Sequence, residues 1–248
     1  MSAGNIVEYP ELLEQAKHLP TPDQNLMEFE NGALLEGSSQ PFTADFLLTR
    51  PTQSVAYAII KRCFDIAFAL AAVVFTAPIL ICIALLIKLT SPGPIFFLQE
   101  RVGRSGNIFQ MIKFRTMRVT PRNVSDRKWT VDGDTRVTSL GAFLRRTSLD
   151  ELPQFFNVLK GEMSVVGPRP ERPYFVDKFE QQIEGYSQRH LGRVGITGWA
   201  QVNGLRGDTC IRTRVDYDVY YLQNWSLAFD IRIILLTVFS TLRDRQVY

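Results

Sequence analysis

Histidine and cysteine are scarce in this chain of 248 residues. With only His18 and His190 present, neither a histidine-rich metal centre nor an HExxH helix can be built, and a Ser-His-Asp hydrolase would have to rest on one of these two. The cysteines, Cys63, Cys82 and Cys210, are odd in number and far apart. That argues against a disulfide framework or a cysteine zinc site, and for a reducing compartment. Internal repeats and low-complexity tracts are also missing. Acidic charge is short outside the leader: residues 1–50 carry 8 acidic and 2 basic side chains, whereas the remainder carries 26 basic and 17 acidic. A basic body behind an acidic leader suits anions, whether phosphates, nucleic acid or an acidic lipid surface. Hydrophobic residues make up 46% of the chain and charged residues 21%, so a sizeable core is available and wholesale disorder is excluded.

What the chain does have is one long apolar run. Residues 66–87 read IAFALAAVVFTAPILICIALLI without a charge, and as a helix would extend about 33 Å, against a hydrocarbon core of about 30 Å. Some 60 residues precede the run and no small-residue cleavage site follows, so it is no signal peptide. Pro78 removes a helical hydrogen bond near its middle and should kink it. Lys61 and Arg62 lie before the run, and Lys88, Arg101 and Arg104 lie after it. Positive charge on both flanks makes both ends cytoplasmic in character. A helix broken at Ala77-Pro78 that enters and leaves by one face satisfies both observations, with a tilted, kinked span as the alternative.

The organisation expected is a flexible acidic tail over 1–50, a membrane-inserted broken helix over 51–90, and a catalytic domain over 91–248. The fold class expected is α+β, mainly helical. Ser91-Pro-Gly-Pro94 is a rigid turn that opens the polar domain. Residues 95–99 and 108–117 have extended character, 121–138 a polar loop, and 140–146 and 149–160 helical patterns, the latter closed by Gly161. Pro173 opens a further helix, with Phe175, Phe179, Ile183 and Tyr186 at steps of three and four. Residues 222–242 form a last helix, whose ten uncharged residues between Arg232 and Arg243 are too few to span. It either lies in the membrane interface or packs in the core.

Chemistry concentrates in Arg145-Arg-Thr-Ser-Leu-Asp-Glu-Leu-Pro-Gln154. A capping box with Ser148 as cap and Glu151 reaching back is the purely structural reading, but it leaves Pro153 at the fifth helical position. Placing Asp150 at the cap moves Pro153 into the first turn. Adjacent carboxylates at a helical start diverge, so they do not share a proton but can divide labour. One can attack phosphorus or bind a divalent cation while the other orients. Gly167-Pro-Arg-Pro170 stiffens the backbone around Arg169 and suits it to clamp a phosphate. In Lys113-Phe-Arg-Thr-Met-Arg118, an extended chain puts Lys113 and Arg115 on one face, which suits an anion or a solvated edge equally.

The ordered set KRCFDI, a broken apolar helix, SPGPIFFLQERVG, KFRTM, LRRTSLDELPQFFNVLKGEMSVVGPRP and GWAQVNG resembles the bacterial sugar transferases, the monotopic phosphoglycosyl transferases. The resemblance covers about residues 57–242 and matches the short form that has only the catalytic domain. It implies a re-entrant membrane hairpin with interfacial amphipathic helices on the cytoplasmic face of the bacterial inner membrane. The activity implied is transfer of hexose 1-phosphate from a UDP-hexose to undecaprenyl phosphate with release of UMP, the first membrane step of surface polysaccharide synthesis. By the same resemblance Asp150 is the nucleophile, Glu151 its partner, and Mg²⁺ binds near Asp150. Arg145, Arg146, Arg169, Lys113 and Arg115 are the candidate phosphate-binding residues. Where the family commonly has Ser-Pro at the helix break, this chain has Ala77-Pro78, with Thr76 as a substitute hydroxyl. The stretch containing Trp199, Gln201, Asn203 and Arg206 matches hexose-transferring members, favouring UDP-glucose or UDP-galactose, with Trp199 either core or stacked on substrate. Partners are therefore the UDP-sugar, the polyprenyl lipid and the membrane; no RNP, helix-turn-helix or zinc pattern points to nucleic acid, and a homo-oligomer stays open. The alternative is a membrane-anchored scaffold or anion-binding module without catalysis.

Overall fold

The computed structural model describes residues 55–118, 134–207 and 209–243, so the acidic leader and most of the polar loop fall outside the described residues. The architecture is α+β and mainly helical: seven α-helices and two small two-stranded sheets among those residues. Helix α1 (Val55–Thr90) contains the apolar run and continues through Ala77 and Pro78. Pro78 cannot return a hydrogen bond to Val74, and Thr76 Oγ1 donates to the Ala72 carbonyl at 2.7 Å, a back-bond of the kind that bends helices. Only Asp65, Ala69, Ile83 and Ile87 of α1 are buried. Between Ala69 and Ile83 nothing is buried, and Phe75 is 81% exposed.

Both halves of α1 are tied to the same body. On the N-terminal side, Arg62 donates to the carbonyls of Val158 (2.6 Å) and Leu159 (2.9 Å), placing a cation at the negative end of α3 (Gln154–Lys160), which Gly161 closes at φ 90. Asp65 Oδ1 accepts from Ser164 Oγ (3.0 Å), the Val165 N–H (3.1 Å) and Lys61 Nζ (3.1 Å). Lys61 also pairs with Asp230 at 2.7 Å, and Tyr221 donates to Asp230 at 2.7 Å. On the C-terminal side, Ile83 and Ile87 join Phe114 and Leu144 in a core cluster to which Leu149 is added.

After the Ser91–Pro94 turn, β1 (Phe96–Val102) and β2 (Ile108–Phe114) form an antiparallel hairpin running in register from Phe96 opposite Phe114 to Val102 opposite Ile108. Asn157 of α3 pins β2, accepting from the Ile112 N–H (3.0 Å) and donating to the Gln110 carbonyl (2.7 Å). Helix α2 (Ser139–Arg146) begins where Thr138 accepts from the Gly141 N–H at 2.9 Å. Strands β3 (Ser164–Val166) and β4 (Gly195–Thr197) pair in parallel, a sheet of three-residue strands that no period in the sequence announces. Helix α4 (Pro173–Gln182) opens on Pro173, and Phe175, Phe179, Ile183 and Tyr186 pack on Val215 and Val219 of α6 (Ile211–Gln223), which follows the one-turn helix α5 (Trp199–Val202).

Two helical expectations are corrected. The stretch 149–160 is a 3₁₀ turn (Leu149–Glu151) followed by α3 from Gln154, because Pro153 supplies no N–H to carry the helix on from the turn. The last helix is also two: α6 ends at Gln223 and α7 (Leu227–Arg243) starts at Ser226, whose Oγ accepts from the Phe229 N–H at 3.1 Å. Helix α7 buries Asp230 and Ile233 and exposes Ile231, Leu235, Val238 and Phe239. Its outer face is thus apolar and open while its inner face is core.

Candidate active site

The turn that carries the two carboxylates is conformationally special. Ser148 sits in the left-handed region (φ 55, ψ 15), rare for a residue other than glycine, and makes no side-chain cap. The capping box is therefore not formed, and Asp150 does not cap a helix; both acids lie in the 3₁₀ turn Leu149–Glu151. Their side chains diverge into different electrostatic environments, as neighbours on a helical turn must.

Glu151 is saturated by cations. Lys113 Nζ donates to Oε1 at 2.7 Å, and Arg169 reaches Oε1 at 2.6 Å and Oε2 at 3.3 Å, a two-pronged grip on the carboxylate. Burial pushes the Glu151 carboxyl up, but the charges and hydrogen bonds of Arg169 and Lys113 outweigh it and hold it well below the usual range. Burial likewise depresses Lys113 against the attraction of Glu151.

Asp150 stands apart. It is 8% exposed, and among the described residues no ion pair or side-chain hydrogen bond engages its carboxylate. Burial pushes its pKa up to about 6; Lys113 opposes the rise, Glu151 adds to it, and Arg145 and Arg169 oppose it further. At neutral pH it is ionised, with cations within electrostatic reach yet none bonded to it.

The other predicted residues divide. Arg145, on α2, donates through Nε to Thr116 Oγ1 at 2.9 Å and contributes charge at Asp150. Arg146, one residue on, is exposed. Arg115 does not join Lys113: the strand ends at Phe114, and the Arg115 guanidinium turns to the Pro92 carbonyl (2.7 Å), the Ser91 carbonyl (2.8 Å) and Ser91 Oγ (2.7 Å). It holds the turn leaving α1 and is not brought together with Lys113 at the dyad. Trp199 lies in the core, stacked on Tyr217 and edge-on to Phe229. Asn203 donates to the Trp199 carbonyl at 2.7 Å, and Arg206 and Gln201 likewise bond to backbone carbonyls.

Sequence reasoning missed what holds Arg169. Arg189 donates to the Arg169 carbonyl (2.9 Å) and pairs with Asp218 at 2.6 Å, while Arg101 donates to the Pro170 carbonyl (2.9 Å). Arg214 pairs with Glu171 at 3.2 Å. A Cβ on Gly167 would lie 2.2 Å from the Arg193 carbonyl oxygen, so only glycine lets the loop cross β4 this closely. The available signal was Arg214 and Asp218, two charges four residues apart on the face of a helix whose other members are apolar. His190 lies beside this network; burial first, then Arg189, depress its pKa to about 4, and it is neutral.

Among the described residues no three His, Cys, Asp or Glu side chains come together to hold a metal. The donor set fits only a cation taking one protein carboxylate, Asp150, since Glu151 is already neutralised. Mg²⁺ accepts that arrangement, because it fills its remaining positions with substrate phosphate and water.

Residues 56–244 match the family model described as bacterial sugar transferase. The chain is 47% identical over 194 residues to a UDP-glucose:undecaprenyl-phosphate glucose-1-phosphate transferase of Escherichia coli, covering 77% of this chain and 42% of that protein. It is 46% identical over 187 residues to a UDP-N-acetylgalactosamine-undecaprenyl-phosphate N-acetylgalactosaminephosphotransferase of Aeromonas hydrophila, covering 75% and 44%. It is 47% identical over 191 residues to the exopolysaccharide production protein PSS of Rhizobium leguminosarum, covering 74% and 96%. The chain thus spans less than half the length of the first two relatives and nearly all of the third. With the family model matched over most of its length, the chain belongs to the bacterial sugar transferase family.

Proposed function

We propose that this protein transfers hexose 1-phosphate from a UDP-hexose to undecaprenyl phosphate, as the names of its relatives suggest, by way of a phosphosugar ester on Asp150. The observation that carries the mechanism is the contrast within the pair: Glu151 is clamped by Lys113 and Arg169, whereas Asp150 is ionised, buried and unengaged. An Asp150 oxygen attacks the sugar-bearing phosphorus, the bond from that phosphorus to the bridging oxygen breaks, and UMP leaves with that oxygen. A phosphate oxygen of the lipid then attacks the same phosphorus, the aspartyl ester bond breaks, and Asp150 returns as a carboxylate beside the lipid diphosphate sugar. Such transfer needs alignment and charge neutralisation more than proton traffic, which suits Lys113, Arg145 and Arg169 around one carboxylate. Mg²⁺ held by Asp150 would neutralise the diphosphate. Relatives at nearly equal identity are named for glucose and for N-acetylgalactosamine; glucose is the first candidate, and since Trp199 is core, other residues choose the sugar.

The lipid phosphate stays at headgroup depth, so the site must be brought to it. Residues 70–82 of α1 lie between two anchors on one body and extend only about 20 Å, short of a hydrocarbon core of about 30 Å. That supports a helix that dips into the bilayer from the cytoplasmic face of the inner membrane and returns, bent at Ala77-Pro78, over a simple span. The open apolar face of α7 suits the interface. Leu149, next to Asp150, packs with Ile83 and Ile87, which ties the height of the dyad to the dipping arm. A non-catalytic scaffold would have no use for a buried carboxylate left without a partner. The test is incubation with UDP-glucose, undecaprenyl phosphate and Mg²⁺: UMP and a lipid-linked hexose are expected from the wild type and neither from Asp150→Asn. Full turnover by that variant would overturn the assignment.

A further inference from the structure

Strand alternation puts Phe97, Gln99 and Arg101 of β1 on the same face as Lys113, Met111 and Phe109 of β2, because Phe97 stands opposite Lys113, Gln99 opposite Met111 and Arg101 opposite Phe109. This face turns towards the dyad: Lys113 reaches Glu151, and Arg101 reaches the loop of Arg169. Along it burial changes steadily, from the buried Phe109 and Met111 to Phe97, which is 36% exposed. Directly opposed residues have Cβ atoms about 4.5–5.5 Å apart, so the half-open Phe97 side chain leaves the sheet beside the stem of the lysine that binds Glu151.

The neighbouring residues lead from that ring to the dipping arm. Phe96, on the other face, stacks on Phe114 with ring centroids 5.5 Å apart, and Phe114 packs against Ile83 and Ile87 of α1. Beyond them α1 exposes Leu85, Leu86 and Leu89. Lys113 and Phe97 thus share one face at the open end of the hairpin, and the adjoining Phe96 leads on the opposite face through Phe114 to the apolar surface of α1.

We infer that Phe97 is the subsite for the phosphate-proximal isoprene units of the lipid acceptor. This rests on the reading given under Proposed function and names the part of the site that the lipid chain occupies. A polyprenyl phosphate is an anionic head joined by one oxygen to an unsaturated apolar chain. With its head among Lys113, Arg145 and Asp150, its chain must leave towards the membrane, and Phe97 is the apolar surface across the hairpin from Lys113. The aromatic ring removes the first isoprene units from water and sets the direction from which the phosphate approaches phosphorus.

The experiment compares wild type, Phe97→Ser and Phe97→Leu in lipid nanodiscs, measuring KM separately for undecaprenyl phosphate and UDP-glucose, together with sedimentation on vesicles. Losing the contact should raise acceptor KM about tenfold in Phe97→Ser, with UDP-glucose KM within about twofold of wild type, and Phe97→Leu should restore most of it. Unchanged acceptor KM in Phe97→Ser overturns the inference alone, while wild-type turnover keeps the parent reading. Equal increases in both KM values, or loss of vesicle binding with acceptor KM unchanged, also overturn it, since Phe97 would then be a folding residue or a general membrane anchor. A wild type that yields no lipid-linked hexose defeats the parent reading and this one together.

Discussion

Arg169 meets Glu151 fork to fork, at 2.6 Å and 3.3 Å on the two carboxylate oxygens. With Lys113 on the same carboxylate, this pairing leaves Asp150 as the member of the dyad that no cation among the described residues neutralises by direct contact.

Removing the charge of Glu151 should expose what it does for Asp150. In Glu151→Gln, Asp150 loses an anionic neighbour and gains the released charges of Lys113 and Arg169, so its pKa should fall below about 6. The maximal rate should drop by about a hundredfold, because the cations are no longer held in place. A pH profile whose acid limb moves to lower pH, with the rate loss, is the expected outcome; an unmoved limb contradicts the electrostatic coupling.

The wild-type acid limb itself is fixed by the same group. Attack requires ionised Asp150, so UMP release measured without lipid should fall about tenfold per pH unit below about 6. Omitting lipid keeps the acceptor phosphate's own titration out of the profile. A limb near the ordinary carboxylate value of 3.8 would show that the cations at the site, Mg²⁺ included, cancel the rise that burial gives Asp150.

Function and stability should oppose each other at this residue. A carboxyl whose folded pKa is raised contributes most to stability below its unfolded pKa, and that contribution is lost as pH climbs through the folded value. Between pH 3.8 and about 6 the fold therefore loses stability from this group and stays at the lower level above. Asp150→Asn should raise stability by about 1–3 kcal/mol at pH 7.5 and by nothing at pH 3.5, while abolishing transfer. Thermal unfolding at the two pH values checks it.

Lys61 is the converse case, a cation between Asp65 and Asp230 with both carboxylates wholly buried. Lys61→Met leaves two buried anions without their shared partner and should cost about 3–5 kcal/mol. Detachment of α1 from β3 and α7, seen as faster proteolysis near Val55, should accompany it.

Residue chemistry at short range was legible in the sequence. The apolar run, the Asp150-Glu151 pair, Lys113, the proline-stiffened Arg169 and the glycine that ends α3 could each be named from residue type and spacing, because each acts through its immediate neighbours. Pairings between distant segments were not. Arg189 supports Arg169 only because the 3₁₀ turn Tyr186–His190 folds under the loop, and Arg115 leaves the site only because the strand ends one residue before it. The capping motif failed for a third reason: Ser148 adopts a left-handed conformation that local propensity disfavours and the surrounding packing imposes.

The most direct test of the account is one turnover without acceptor. Mixing the protein with UDP-glucose and Mg²⁺ in the absence of any polyprenyl phosphate should release UMP to one equivalent per active site and leave a hexose phosphate mass on the peptide containing Asp150. UMP that appears only when lipid is added, or a protein that carries no adduct at Asp150 after UMP is released, would contradict it.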